Sequence, residues 1–366
     1  MKNGILPIIS LLALLFFLQN CKPEKPSGPV DPNDPDSLYI GTTYIIQKPF
    51  RFPNINNAYK DSVTYEGIEL GRRLFYDVRL SSTGMLACAS CHKPELAFTD
   101  GLVKSVNVFG PTLRNTPAIQ NLLWTNKLFW DGRVNTLADQ AKDAYHGEQN
   151  LNIPDAVNFL QADTAYLKLF KKAFGRPGVV TEEKIYLAVQ QFMMTAISAN
   201  SRFDKIQRGE DQFTTSEANG FVIFSTEKGE CFHCHTDGSS LLMTDNLFRN
   251  NGLDSAAGIN DFTDKGRGAF TGNVNDNGKF KDPSLRNIAL TAPYMHDGRY
   301  QTLEQVINFY SDSVKFSPTV DPLMYKVPHT NGKFNLTSDE KTDLLNFLLT
   351  LTDTTFTNNA AFKNPF

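Results

Sequence analysis

Two five-residue stretches carry the residues best suited to chemistry: Cys88-Ala89-Ser90-Cys91-His92 and Cys231-Phe232-His233-Cys234-His235, both of the pattern C-x-x-C-H. In each, two thiols separated by two residues can bond covalently to the two vinyl groups of one haem, and the imidazole that follows then sits beneath the iron as proximal ligand. A zinc site or a redox dithiol also uses C-x-x-C, but neither needs a His directly after the second Cys. With six His among 366 residues, chance puts one there about once in sixty cases, and here it happens twice. Two covalently bound c-type haems follow, with Cys88, Cys91, His92, Cys231, Cys234 and His235 as attachment residues and His92 and His235 as iron ligands.

The elements that position these stretches read as mainly helical. Pro154, Ala156, Val157, Leu160, Tyr166, Leu167, Phe170 and Phe174, closed by Gly175, predict one or two helices. Thr181 opens another with Ile185, Val189, Phe192, Met193 and Ala196 on its apolar face. Capping boxes start three more, at Thr214 with Glu217, Thr302 with Gln305 and Thr337 with Glu340. Strands are hard to find. The run Asn250 to Lys281, rich in Gly, Asn and Asp, predicts a long excursion beside the second haem.

Met1 to Cys21 reads as an export signal: an apolar run from Ile5 to Leu18 follows Lys2 and is too short to span a bilayer comfortably. Leu18-Gln19-Asn20-Cys21 resembles a bacterial lipoprotein cleavage site, with Cys21 as the lipidated first residue, and the alternative is a plain secretory signal with an incidental Cys. Residues 22–38 form a tether with Pro at 23, 26, 29, 32 and 35, whose first fifteen residues can extend roughly 45 Å as a polyproline-like spacer. About 340 residues then remain after the leader, enough for two domains of ordinary size. The polar stretch Gln207 to Thr214 marks their boundary, giving 39–210 and 211–356 with a tail at 357–366. A formal charge of −3 gives no sign of a nucleic-acid surface. The expected location is periplasmic, with membrane contact through the lipid anchor alone.

The stretches between the haem sites carry a family resemblance. CASCH is followed by Arg114-Asn115-Thr116-Pro117, then Phe129-Trp130-Asp131-Gly132-Arg133 with Gln140-Ala141, then CFHCH. Pro283-Ser284-Leu285-Arg286-Asn287 and Thr291-Ala292-Pro293-Tyr294-Met295-His296-Asp297-Gly298 come after. From Gly67 to Phe347 the chain resembles the bacterial di-haem cytochrome c peroxidases, the family that includes the MauG-type protein-oxidising enzymes. The resemblance implies a mainly α fold of two cytochrome c-like helical domains, each binding one haem. The first haem would meet peroxide and the second would receive electrons.

It also implies roles for particular residues. Trp130 matches the tryptophan between the haems, and Asn115 matches an asparagine that helps bind a calcium ion. Unaided, Trp130 would read as a core aromatic and Asn115 as a turn residue. Where the reductively activated members place a His that closes the first haem, this chain has Asn107, so the first haem is expected to be open. Many members close the second haem with a Met on the helix after the Tyr-Met-His-Asp-Gly stretch. Here Tyr310 falls at that place, with Leu303, Val306 and Ile307 on the same face, as in the MauG-type arrangement. Met295 is the competing ligand.

Peroxide cleavage needs a group that takes a proton from the near oxygen and returns it to the far one, so that water leaves. The resemblance assigns this to a Glu assisted by a Gln. Gln140 matches the Gln, and Glu148 is the first candidate for the Glu, two residues closer than the family spacing. His146 is the second, because its ordinary pKa lies near neutrality. Arg133 and Arg286 are candidate partners for haem propionates. His233 reads as an intervening residue, His296 as a structural hydrogen-bonding group, and His329 has no neighbours that argue for ligation.

Three functions fit. The first is a peroxidase that reduces hydrogen peroxide with electrons from a small cytochrome or copper protein. The second is a MauG-like enzyme that oxidatively modifies a partner protein. The third is a non-catalytic electron-transfer cytochrome.

Overall fold

A computed structural model describes residues 41–55, 63–125, 127–175, 178–235, 240–325 and 333–366. Cys21, the Pro-rich tether and His329 lie outside the described residues. The helices in order are α1 (Tyr65–Tyr76), α2 (Cys88–Cys91), α3 (Leu137–His146), α4 (Ile153–Ala162), α5 (Thr164–Phe174) and α6 (Glu182–Met194). There follow α7 (Arg202–Gln207), α8 (Thr215–Phe224), α9 (Arg267–Thr271), α10 (Leu303–Asp312), α11 (Ser338–Leu349) and α12 (Thr354–Thr357). Strand is confined, among the described residues, to two antiparallel two-residue pairs. These are β1 (Val106–Asn107) with β2 (Gly110–Pro111), and β3 (Phe248–Arg249) with β4 (Phe280–Lys281). No helix among the described residues is long and apolar enough to cross a membrane.

The helix starts expected from sequence are present, each for a local reason. Thr214, Thr302 and Thr337 accept from the backbone N–H three residues on, while Glu217, Gln305 and Glu340 close the reciprocal half of each box. The run from 154 to 175 divides into α4 and α5 because Asp163 turns out of the first and caps the second, accepting from Ala165 and Tyr166. Sequence reading did not find α1, whose Gly67 and Gly71 lower its intrinsic propensity. Packing makes it helical. Those glycines face α6, where a Cβ on Gly71 would run into the Ala188 carbonyl and one on Gly67 into the Gln191 amide. Gly220 does the same for α8 against α11, at the Asp343 carbonyl. Gly71→Ala is therefore expected to destabilise the protein by about 1–2 kcal/mol, the clash outweighing the better helix propensity of Ala. Urea denaturation followed by circular dichroism measures it.

The described residues form one compact unit with two apolar cores. The first gathers α1, α3, α4, α5 and α6, with Phe75 at 5.1 Å from Phe192 and 6.2 Å from Phe98 between ring centroids. The second gathers α8, α10 and α11 around Phe347, which lies 5.0 Å from Phe224 and 5.6 Å from Phe203. The last residues, expected as a tail, correct that expectation: Phe362 is 2% exposed and packs 5.4 Å from Phe98 in the first core. Its apolar ring and that of Phe356 fill the space beside the first haem stretch.

A buried polar network joins the two cores. Asn287 donates to Gln120 (2.6 Å) and Ser198 (3.0 Å), and Gln120 donates to the Arg286 carbonyl (2.6 Å). Asp353 accepts from the Ser198 hydroxyl and from the Ala199 and Asn200 amides, at 2.9–3.0 Å. In a low-dielectric interior such fully paired groups fix one arrangement, since breaking one bond leaves a desolvated partner.

Candidate active site

The first attachment stretch is one turn of helix. Cys88 and Cys91 lie on one face of α2, the Ser90 hydroxyl accepts from the Ala87 amide (3.0 Å), and the Cys88 carbonyl accepts from the His92 amide (3.0 Å). The His92 imidazole lies with Nδ1 2.8 Å from the Phe98 carbonyl. A carbonyl can only accept, so Nδ1 carries the proton and Nε2 is left with a lone pair for a metal. In the second stretch the Cys231 carbonyl accepts from the His235 amide (2.9 Å). Burial pushes the His235 imidazole down to about 4 and the His92 imidazole in the same direction, so both are neutral donors. Burial also pushes the Cys88 and Cys91 thiols up to about 11 and Cys231 up to about 12. The four cysteines form no disulfide.

A cavity of about 610 Å³ reaches both stretches and is walled by Cys88, Cys91 and His92 on one side and Cys231 and His235 on the other. Apolar side chains such as Phe75, Val189 and Met193, and Leu303, Ile307 and Leu344, complete it. Gln149, 2% exposed, gives its amide to the Cys88 sulfur (3.5 Å) while its Oε1 meets no partner among the described residues. Paired neutral thiols, a neutral imidazole at each end and an apolar cavity between them fit two covalently attached haems.

Glu148 and Gln140 both line this cavity. The Asn107 amide, on β1, donates to Glu148 Oε2 at 2.6 Å, and the Val108 amide donates to the Glu148 carbonyl at 3.2 Å. Asn107 thus occupies itself with the carboxylate. Trp130 also lines the cavity, its indole N–H donating to the Asn115 carbonyl (2.8 Å). The Asn115 side-chain amide donates to the Leu102 carbonyl (2.8 Å), which leaves Oδ1 as its one side-chain donor atom for a cation. At the other end Tyr310 and Met295 meet at one point, for the Asn251 amide lies 3.0 Å from the phenol oxygen and 3.7 Å from the thioether sulfur. Burial raises the Tyr310 phenol, against the opposing effect of Asn251.

The model of the family described as di-haem cytochrome c peroxidase matches residues 65–212. The methylamine utilization protein MauG of Methylorubrum extorquens is 34% identical over 310 residues, covering 82% of this chain and 83% of that protein. The chain belongs to the di-haem cytochrome c peroxidase family. The cytochrome c551 peroxidase of Nitrosomonas europaea is 32% identical, covering 78% of this chain and 79% of its own. A crystal structure of a MauG-like protein associated with microbial copper homeostasis superposes with a TM-score of 0.78 at 35% identity, covering 87% and 98%. As a di-haem peroxidase-family enzyme the chain is a haem-containing oxidoreductase, and the helical fold with two c-type haems follows from that membership.

Within this family frame, three sequence expectations need correction. His146, the second candidate for proton transfer, is exposed at the end of α3 and pairs with Glu182 (3.1 Å) and the Tyr186 hydroxyl (3.0 Å), away from the cavity wall. The turn that follows α3 reverses the chain, so Glu148 two residues later faces inward and His146 faces α6. Arg286 is 1% exposed and gives both terminal nitrogens to Asp204 (2.9 and 2.5 Å) and Nε to the Leu241 carbonyl (2.6 Å). It has no donor in the cavity wall and is not a propionate partner. Arg133 does line the cavity, stacked 3.5 Å over the Phe129 ring and paired with Asp131. Gly132, at φ 70°, makes the turn that places it. Finally, 357–366 is anchored on the first core by Phe362 rather than being a free tail.

Two further histidines are described, and of these His296 lines the cavity. His233 lies 2.9 Å from Glu230, and His296 stacks 3.6 Å from the Phe280 ring. Sequence reading missed the role of Arg114, which spans to Asp131 (2.8 Å) and Asp264 (2.8 Å) and ties the middle of the excursion to the Trp130 turn. It also missed Arg249, which gathers Asp245, Asp282 and Asp321 beside the second stretch. Burial pushes the Asp282 carboxyl up to about 7 although Arg249 opposes it. Lys281, whose ammonium reaches the Lys127 carbonyl (3.3 Å), is pushed down to about 8 by burial. Apart from Asp245, four residues before Arg249, their partners are remote in sequence and leave no local signal.

Proposed function

We propose that this protein is an exported, lipid-anchored di-haem peroxidase that reduces hydrogen peroxide to water with electrons from a small cytochrome or copper protein. The observation that carries this reading is that Glu148, which lines the same cavity as His92, is held from behind by the Asn107 amide at 2.6 Å. Where activated relatives place a closing His, this chain places an amide, and the amide holds a carboxylate.

His92 Nε2 would hold one iron and His235 the other, each group oriented by its own turn. Bound there, the haems would supply the redox chemistry for O–O cleavage, their electrons coming from the external carrier. Glu148 would accept the proton of the near peroxide oxygen at a carboxylate oxygen and return it to the far one. Gln140 would orient the peroxide from α3, and Trp130, tied to Asn115, would sit on the route between the haems. Overall, peroxide, two electrons and two protons become two waters. At the second haem we assign Tyr310 as distal ligand and Met295 as the alternative. Asn115 Oδ1 would serve a calcium ion, and the division into 39–210 and 211–356 would give each core its own haem. The leader and Cys21 support export to the periplasm.

A second reading, a MauG-like enzyme that modifies a partner protein, draws on the same Asn107 and Tyr310 and on the similarity to MauG. The test is electron paramagnetic resonance of the oxidised protein followed by steady-state peroxide consumption with a reduced carrier. A high-spin ferric signal and sustained turnover are expected. A high-spin signal with negligible turnover sinks the peroxidase in favour of protein modification, and no high-spin signal leaves only the electron-transfer cytochrome.

A further inference from the structure

Asn251 sits where both candidate ligands of the second haem converge, and its orientation is settled by its own turn. Its Oδ1 accepts from the Leu253 amide (3.2 Å), so the other end of the side chain, which faces the cavity, is the NH2 group. The turn itself is pinned. Asn250, 3% exposed, donates to the Ser317 and Thr319 hydroxyls (both 2.9 Å), and the Lys315 amide donates to the Gly252 carbonyl (2.7 Å). Gly252, at φ 72°, allows the reversal, and a Cβ there would press on Val314. Asn251 therefore presents a fixed donor, and that donor meets the Tyr310 oxygen at 3.0 Å and the Met295 sulfur at 3.7 Å.

The two acceptors are unequal. A phenolate oxygen on a metal keeps lone pairs and negative charge, so it binds iron and accepts a charge-assisted hydrogen bond together. A thioether sulfur is a weak acceptor at any time, and binding iron uses one of its lone pairs. The distances agree with that difference, 3.0 Å being a good N–H···O contact. We propose that Asn251 is a positioning residue that selects the axial ligand of the second haem, holding the Tyr310 oxygen rather than the Met295 sulfur toward the iron. This rests on the reading of Tyr310 as ligand. It adds that the choice is made by a residue 59 positions away in sequence, on the excursion.

The test uses the holoprotein with both haems attached and reads ligation by resonance Raman spectroscopy and low-spin ferric paramagnetic resonance. Asn251→Asp keeps the Oδ1 acceptor for Leu253 and removes the donor; Asn251→Leu removes both. Both variants are expected to lose most of the iron-phenolate bands and to gain a His–Met low-spin signature, which adding Met295→Leu abolishes. The high-spin signal of the first haem is expected to stay as in the wild type. Should Asn251→Leu fail to retain the second haem, Asn251→Asp decides alone. Unchanged iron-phenolate bands in Asn251→Asp overturn the selection by Asn251 while leaving Tyr310 a ligand. An unchanged second-haem spectrum in Tyr310→Phe is a different failure: it removes Tyr310 as ligand and the selection with it.

Discussion

Glu148→Gln is expected to slow peroxide consumption by about 10²–10⁴-fold, the range for losing a positioned general acid–base group, while both haems remain attached. The substitution isolates proton transfer from position. A Gln is close in shape to a Glu and can still present an oxygen to the Asn107 amide, which now donates to Glu148 Oε2 at 2.6 Å. What disappears is the ability to take a proton and return it. Stopped-flow mixing of the oxidised protein with peroxide measures the step directly. His146→Gln serves as the control and is expected to react as the wild type, because His146 is occupied at the surface with Glu182 and Tyr186. Wild-type kinetics in Glu148→Gln move the role to another group.

Arg286→Met is expected to cost about 3–5 kcal/mol of stability, the range for removing one partner of a buried ion pair. Asp204 is 1% exposed and would keep its charge with both guanidinium hydrogen bonds gone. It also caps α7 through Ser201, so the loss reaches the start of the second core. Adding Asp204→Leu is expected to recover much of the loss by removing the stranded charge. Urea denaturation should be followed by circular dichroism and by haem absorbance separately, because a chain with two cores and two cofactors need not unfold in one step.

The same pair sets a pH dependence. Burial alone would raise the Asp204 carboxyl, but the Arg286 hydrogen bonds outweigh it and hold it below the ordinary carboxylate range. Its contribution is therefore fully present above the unfolded-state pKa, about 3.9, and is lost as pH falls through the lower folded value. In that acid window the unfolded chain binds more protons and stability rises with pH. Arg286→Met should flatten the slope there.

The fold was legible where its signals are contiguous. The capping boxes at Thr214, Thr302 and Thr337 each involve residues within a turn of one another, so a single strand of sequence contains the whole interaction. Helix α1 was not, because Gly67 and Gly71 speak against a helix until α6 is placed beside them. Nor was the closing segment, whose Phe362 needs Phe98, far back in the chain, to become core. At the site, the resemblance alone places Glu148 before His146, and the direction of the turn after α3 is what separates them physically.

The sequence by itself pointed to two attached haems and to the imidazoles proposed to lie beneath them. Thioether spacing, the His that follows and the turn that joins them all fall within five residues, and that geometry survives whatever the rest of the chain does. Tertiary structure decided which side chains meet around the cavity and which turn away from it. Asn107 meets Glu148 across 41 positions, Asn251 meets Tyr310 across 59, and Arg286 turns away to Asp204 across 82. Such contacts depend on loop closure and on which buried donors are already satisfied, and neither is visible until the two cores have closed around the cavity.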